Sequence, residues 1–259
     1  MSFYLIVLAF GLIIGSFLNV CIYRIPRNLS LVLPSSRCPS CENPIRARDN
    51  IPVLSYLILG GKCRFCGQGI SLRYPLVEAM NGLMYAAVIW RYGLGWGSLF
   101  YCFLISALIV ITFIDLDFQI IPDRITLIGI PIGLVTGSFL LPDPFLRAVP
   151  LGYKSSLIGA AAGLSFYYLI AYLSIIILKK EGMGGGDIKM MAMVGAFLGW
   201  KTVILTTFLG SLFGSVAGIV IMVVRGKGRG LQIPFGPYLA LGTVISIFFG
   251  QEILTWYLH

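Results

Sequence analysis

An all-helical membrane protein of several spans is the fold class this sequence predicts, on three observations. The 259 residues are 58% hydrophobic and only 11% charged, with a mean hydropathy of +0.93, far from the composition of a water-soluble domain. The apolar residues fall into separate stretches close to the roughly 20 residues that carry a helix across a bilayer. Helices satisfy their own backbone groups in lipid, so such stretches read as helices rather than open strands. Eight are marked out: 3–21, 76–90, 98–114, 125–141, 157–178, 188–198, 202–224 and 233–258. The sixth is short and follows a glycine-dense turn, as a broken or tilted helix would. The first has neither a basic segment before it nor a small-residue exit, so it reads as a retained span rather than a cleaved signal. The chain therefore divides into a first transmembrane helix (1–23), a hydrophilic domain (24–75) and a transmembrane domain (76–259).

Orientation follows from the basic residues. With the loop 24–75 in the cytoplasm, all but Arg91, Arg147, Lys154 and Lys201 of the nineteen Lys and Arg fall inside. The positive-inside rule then places both termini outside. The formal charge of +9 suits a chain facing anionic membrane lipid and calls for no nucleic acid.

The first span carries Gly15 and Ser16, small enough for close helix approach, and Asn19, which must find a polar partner. Cys21 and Cys102 lie alone on apolar faces and read as inert core thiols. In the hydrophilic domain stand Cys38-Pro39-Ser40-Cys41 and Cys63-Arg64-Phe65-Cys66. Two such pairs fit a four-thiolate zinc site, with a pair of disulfides as the competing reading; a reducing cytoplasm favours zinc. Four sulfurs would fill the metal's shell, so the zinc would be structural. Glu78, just after Arg73-Tyr74-Pro75, is expected in the first turn of the second span, either as a cap or as a polar contact in a ligand pocket.

Two acidic places remain. Asp115-Leu116-Asp117 follows the third apolar stretch directly, and Pro122-Asp123-Arg124 reads as the capped start of the fourth span. Gly182-Met183-Gly184-Gly185-Gly186-Asp187-Ile188-Lys189 delivers a second carboxylate to the start of the sixth. A charge at hydrocarbon depth is costly enough to be a functional candidate. The glycines admit close backbone approach. A phosphate-cradling loop is the rival reading, but the Gly-Lys-Ser/Thr ending is absent. The only histidine is His259, which leaves no Ser-His triad and no His-Glu-x-x-His zinc site. What remains for acid and base work is a pair of aspartates sharing one proton, one activating water and the other donating to a carbonyl oxygen. Further on, Gly210, Gly214 and Gly218 form a small-residue face, Arg225 to Gly230 a basic loop, and Pro234-Phe235-Gly236-Pro237 leads into the last span.

Taken in order, Gly-Ser-Phe-Leu-Asn-Val, the two cysteine pairs, Tyr-Pro-Leu-Val-Glu, the Asp-x-Asp to Pro-Asp segment and Gly-Met-Gly-Gly-Gly-Asp resemble the bacterial type IV prepilin peptidases, membrane aspartic proteases with a Gly-x-Gly-Asp motif. The resemblance covers residues 11 to about 200. It implies that Asp115 and Asp187 are the catalytic pair, with Asp117, Asp123, Gly184, Gly186 and Lys189 in support. It implies prepilin or pseudopilin substrates with a short basic leader, cut at the cytoplasmic face of the bacterial inner membrane. It also implies a second step, methylation of the new N-terminus from S-adenosylmethionine, for which Asn19 and Glu78 are the candidate binding residues. Cys38, Cys41, Cys63 and Cys66 would hold the zinc. Two alternatives stand beside it: another Gly-x-Gly-Asp intramembrane protease, though Ile114 replaces the tyrosine usual there, and a cation transporter, for which no inverted repeat is visible.

Overall fold

A computed structural model describes residues 2–147, 149–179, 182–225 and 233–258. Among these, helices account for all the regular structure: α1 (Ser2–Arg24), α2 (Leu54–Ile58), α3 (Arg73–Tyr92), α4 (Trp96–Phe118), α5 (Asp123–Phe139), α6 (Gly152–Leu178), α7 (Gly185–Arg225) and α8 (Gly236–Leu258), with one 3-10 turn at Ala47–Asp49. Five of them, α1, α4, α6, α7 and α8, are long and apolar enough to cross a membrane. The basic loop 226–230, Lys180 and His259 lie outside the described residues.

The chain forms two compact units, Met1–Leu94 with Ile105–Val110, and Gly95–Leu104 with Ile111–His259. In the first, α1 and α3 touch through small residues. A Cβ on Gly11 would stand 2.8 Å from Gly82 Cα, and one on Gly15 2.7 Å from Glu78 Cα. This approach lets polar groups reach across: Asn81 donates to the Gly11 carbonyl at 2.7 Å and Asn19 to the Tyr74 carbonyl at 3.1 Å. Ser106 donates to Asn81 Oδ1 at 2.9 Å and lies 2.9 Å from the Tyr85 hydroxyl. Gly15 and Asn19 thus have the packing role their chemistry suggests. Helix α3 starts three residues earlier than the hydropathy pattern indicates, so Glu78 sits in its second turn rather than its first.

In the second unit α7 is the central element. At 1.5 Å per residue its 41 residues would measure roughly 60 Å, about twice a bilayer's hydrocarbon core. Instead the helix breaks at Gly199, whose φ of 79° and ψ of 174° are non-helical. Only glycine enters this region without strain. The two arms run antiparallel, as their contacts establish. Gly186, at the start, lies against Ile121, and Gly214 and Gly218, late in the second arm, lie against Phe235 and Ile233. Both ends therefore return to the side where α8 begins beside Asp115. The apolar stretches 188–198 and 202–224 are these two arms.

The first arm is buried on nearly every side, from Met190 to Leu198. Helix α5 meets it through Gly129 against Met193 and Gly133 against Phe197, and α6 through Gly163 against the Met191 backbone. Gly159 and Gly195 face each other with their backbones in contact. Close packing of this kind leaves no room for a side chain. Gly195→Val is expected to destabilise the protein by about 1–3 kcal/mol or more by overpacking. A thermal unfolding curve in detergent would show it as a lowered midpoint. Gly214→Ala, whose new methyl would meet ordinary 3.4 Å contacts, serves as the comparison and should leave the midpoint close to that of the parent.

Candidate active site and metal centre

Asp115 lies inside α4, which runs on to Phe118 instead of stopping at Ile114. The helix closes on Gln119 in a left-handed conformation (φ 55°), whose N–H donates to the Asp115 carbonyl. The side chain is turned inward, and the residue is only 5% exposed. Its Oδ2 accepts the backbone N–H of Gly236 at 3.0 Å, a bond between residues 121 positions apart. A Cβ on Gly236 would stand 2.7 Å from that same oxygen, so glycine is what allows the amide to come so close.

Asp187 arrives from the other direction, in the first turn of α7. The Gly184 carbonyl accepts the Asp187 N–H at 3.1 Å, and the Gly184 N–H reaches back to the Asp187 carboxylate, a reciprocal closure of the helix start. Asp187 Oδ1 is buried with no hydrogen-bond partner among the described residues. Such an atom is costly to leave unpaired, and it marks the place where a proton or water would be taken up. The charge of Asp115 acts on Asp187, so the two acids are electrostatic neighbours. Ile121 lies between their supports, against Gly186 and Gly236 alike; a Cβ on Gly186 would come within 2.7 Å of its own.

The other expected residues divide. Lys189 donates to both oxygens of Asp123, at 2.7 and 2.8 Å, tying the start of α7 to the start of α5. Asp123 is not the cap of α5, because Pro122 holds that position and no side chain caps the helix; its carboxylate is taken by Lys189. Asp117 is exposed in the last turn of α4. Asn19 and Glu78 belong to the first unit, where both are buried and hold protein partners: Asn19 bonds Tyr74, while Glu78 accepts the Val53 N–H at 2.7 Å and a bond from Ser16. Both side chains are thus engaged by neighbouring groups of the first unit.

Two residues near the acids escape a reading of the sequence. Gly236 had a faint signal in its Pro-Phe-Gly-Pro surroundings. Tyr167, fully buried in α6, had none; its hydroxyl meets Thr207 at 3.0 Å, and it lies within electrostatic reach of Asp187. The Gly236 amide gives a direct test. Gly236→Ala is expected to lower turnover at the acid pair by about tenfold or more, since small misplacement of a catalytic group costs up to ~10²-fold. The loss should fall on kcat rather than KM; a purely destabilising change would instead reduce the amount of folded protein with turnover per folded molecule unchanged.

In the hydrophilic domain the four sulfurs of Cys38, Cys41, Cys63 and Cys66 lie within 4.8 Å of one another. Cys38 and Cys66 are 3.8 Å apart, and Cys41 and Cys63 4.0 Å. Sulfurs at 2.3 Å around a tetrahedral zinc would be about 3.8 Å apart, whereas a disulfide would bring them to about 2.05 Å. The residues therefore fit a metal and not a pair of bridges. The two cysteine turns are built alike. Cys38 N–H donates to the Asn43 carbonyl and Cys63 N–H to the Gln68 carbonyl, while Glu42 and Gly67 donate back to Cys38 and Cys63. Both turning residues have positive φ, 56° for Glu42 and 70° for Gly67. The backbone N–H groups of Cys41 and Ser40 hold the Cys38 thiol below its ordinary value, and that of Asn43 does the same for Cys41. Cys66 receives a backbone bond from Gln68, yet partial desolvation and the neighbouring sulfurs push it up to about 11. A bound divalent cation would remove that repulsion.

These features define a polytopic helical membrane protein with two inward-turned aspartates in one unit and a four-cysteine cluster able to hold a metal in the other. Residues 9–92 match the bacterial peptidase A24 N-terminal domain, and residues 102–219 match the type IV leader peptidase family. A relative from Aeromonas salmonicida (strain A449) is 38% identical over 99% of this chain and 94% of its own length. One from Pseudomonas aeruginosa is 35% identical over 100% and 94%, and one from Neisseria gonorrhoeae 40% identical over 89% and 85%. Each is named a prepilin leader peptidase/N-methyltransferase. No solved structure matches. The chain belongs to the type IV leader peptidase family.

Proposed function

We infer that this chain is a membrane aspartic endopeptidase that removes the leader from prepilins or pseudopilins and then methylates the new N-terminus. The observation that carries the reading is the convergence of Asp115 and Asp187, from α4 and α7, in a chain alike along nearly its whole length to proteins named for that activity. In the reaction one carboxylate takes a proton from water as the water oxygen attacks the scissile carbonyl. The other gives a proton to the carbonyl oxygen, and collapse of the tetrahedral adduct returns a proton to the departing amine. The Gly236 amide fixes Asp115 Oδ2 during this exchange, and Asp187 Oδ1 has the open position at which the proton is held. Gly184 closes the start of α7, Gly186 admits Ile121, and the Asp123–Lys189 pair holds the two helix starts together, with Asp117 a supporting acid at the surface.

The same reading gives eight spans, counting α3, α5 and both arms of α7, with the acids and the hydrophilic domain on the cytoplasmic side of the inner membrane. Zinc is the structural metal of the four cysteines. S-adenosylmethionine would supply the methyl group. Incubation of the purified protein in detergent with a candidate prepilin tests the proposal. A shortened product, heavier by one methyl only when S-adenosylmethionine is present, is the expected result; an intact substrate overturns the protease reading, and a cleaved but unmethylated product overturns the second activity.

A further inference from the structure

Helix α2 is built inside out. Of its five residues, Leu54, Leu57 and Ile58 are 51%, 68% and 70% exposed, while Ser55 is buried. The spacing of the three leucine and isoleucine positions puts them on one face. Ser55 is fully occupied within the domain, donating to the Arg48 carbonyl at 3.0 Å and accepting the Ile51 N–H at 2.9 Å. In a domain surrounded by water the opposite arrangement would hold. The exposed apolar face needs an occupant, and three observations say which.

The first is depth. The residue before α2, Val53, donates its N–H to Glu78 at 2.7 Å. Glu78 is five residues past the start of α3 and packs on Gly15, nine residues before the end of α1. Those offsets correspond to about 7 and 13 Å along the two helices, so α2 is pinned beside the helix bodies and below their ends. Second, the pin is held against a strained backbone. Val53 has φ 59°, which a β-branched residue adopts only when its surroundings impose it. Third, the surroundings are basic. Between positions 24 and 73 stand eight Lys or Arg and only two acids, Glu42 and Asp49; Arg46, Arg48 and Lys62 flank the helix in sequence and are exposed, while Arg64 is paired with Asp49. A second exposed apolar pair, Val32 at 81% and Leu33 at 72%, is drawn to the end of α1 by Arg24, which donates to the Ser30 and Pro34 carbonyls at 2.7 and 2.6 Å.

We propose that α2 is a membrane-interface foot: its Leu54, Leu57 and Ile58 face seats the cysteine-bearing domain in the adjacent leaflet, with anionic phospholipid headgroups gathered by the surrounding Arg and Lys. An apolar face with a basic rim is the pattern of a segment lying in the interface, and the charge suits an anionic leaflet. A basic partner, such as the leader of a prepilin, would be repelled by the same residues. The inference rests on α1 and α3 crossing the membrane.

The test is tryptophan depth in the full-length, metal-loaded protein reconstituted in phosphatidylcholine bilayers with none or about one third phosphatidylglycerol. Leu57→Trp is compared with the parent, whose own tryptophans set the background. Lipid brominated near the headgroup should quench the added fluorescence roughly twofold, more strongly with phosphatidylglycerol present, and aqueous iodide should quench it little. Arg48→Glu with Lys62→Glu should abolish the phosphatidylglycerol dependence. Quenching by iodide and not by lipid overturns the proposal, and so does shielding that appears only when prepilin is added, which would make the face a protein-docking surface. Ile13→Trp, on the exposed side of α1, separates the two layers of the argument. If deep-brominated lipid quenches it while Leu57→Trp stays in water, the foot alone is wrong; if it too is unquenched, the membrane placement of α1 is wrong.

Discussion

Asp115→Asn and Asp187→Asn are each expected to lower prepilin cleavage by about 10³-fold or more, because each removes one half of an acid–base exchange that neither carboxylate performs alone. The substitution preserves shape and keeps an oxygen able to accept the Gly236 or Gly184 amide, so the fold should survive. Unfolding midpoints near that of the parent, together with the loss of turnover on purified substrate, would establish the pair. Normal turnover by either variant would remove it from the mechanism. Asp117→Asn provides the contrast: at an exposed position on the last turn of α4 it should retain most of the activity. The double variant Asp115→Asn/Asp187→Asn should be scarcely worse than either single one, as for groups that act as a unit.

The second large effect concerns the metal. Stripping it with a strong chelator, or making Cys38→Ser, is expected to unfold the region between the two cysteine turns while leaving the helices of the other unit intact. That region has little apolar core of its own. Of the residues from 25 to 72, only Cys38 and Ser55 are buried, so a metal held by the four cysteines would stabilise the domain directly, and structural zinc typically contributes about 10–16 kcal/mol of apparent binding free energy. Hydrogen exchange would report the change as lost protection confined to residues 35–70, and metal analysis as a fall from about one zinc per chain to none. Unchanged protection in a metal-free, reduced protein would contradict the assignment.

How much of this could be read from the chain alone depends on the range of the interaction. The apolar helices follow from composition over windows of about 20 residues, five of them long enough to cross a membrane, and the clustering of the four cysteines from two repeated local turns, so both were legible. The break in α7 was half legible: the apolar run is interrupted between 198 and 202, but the corner is Gly199 itself, one glycine among thirty-one. Helix ends were read short, because hydropathy falls at the first acid, whereas the backbone hydrogen bonds of α4 continue one turn beyond Asp115. The partners of the acids were illegible. The Gly236 amide lies 121 residues from Asp115, and Lys189 lies 66 from Asp123; nothing local in either segment announces the other. The inversion of α2 is hidden for a different reason, since a five-residue helix is too short for periodicity to say which face is inward.

The reversal at Gly199 governs the order in which the protein can mature. A rod without that corner would carry the chain away from Asp187, and α8 would begin far from α4. With it, the chain doubles back, and the amide that seats Asp115 is supplied by the element synthesised after every other part of the site. A nascent chain emerging as far as α7 already possesses both carboxylates but cannot yet set the first of them in position. On the proposed assignment of the acid pair, competence for proteolysis would arrive with the insertion of α8, once the rest of the helical frame is in place.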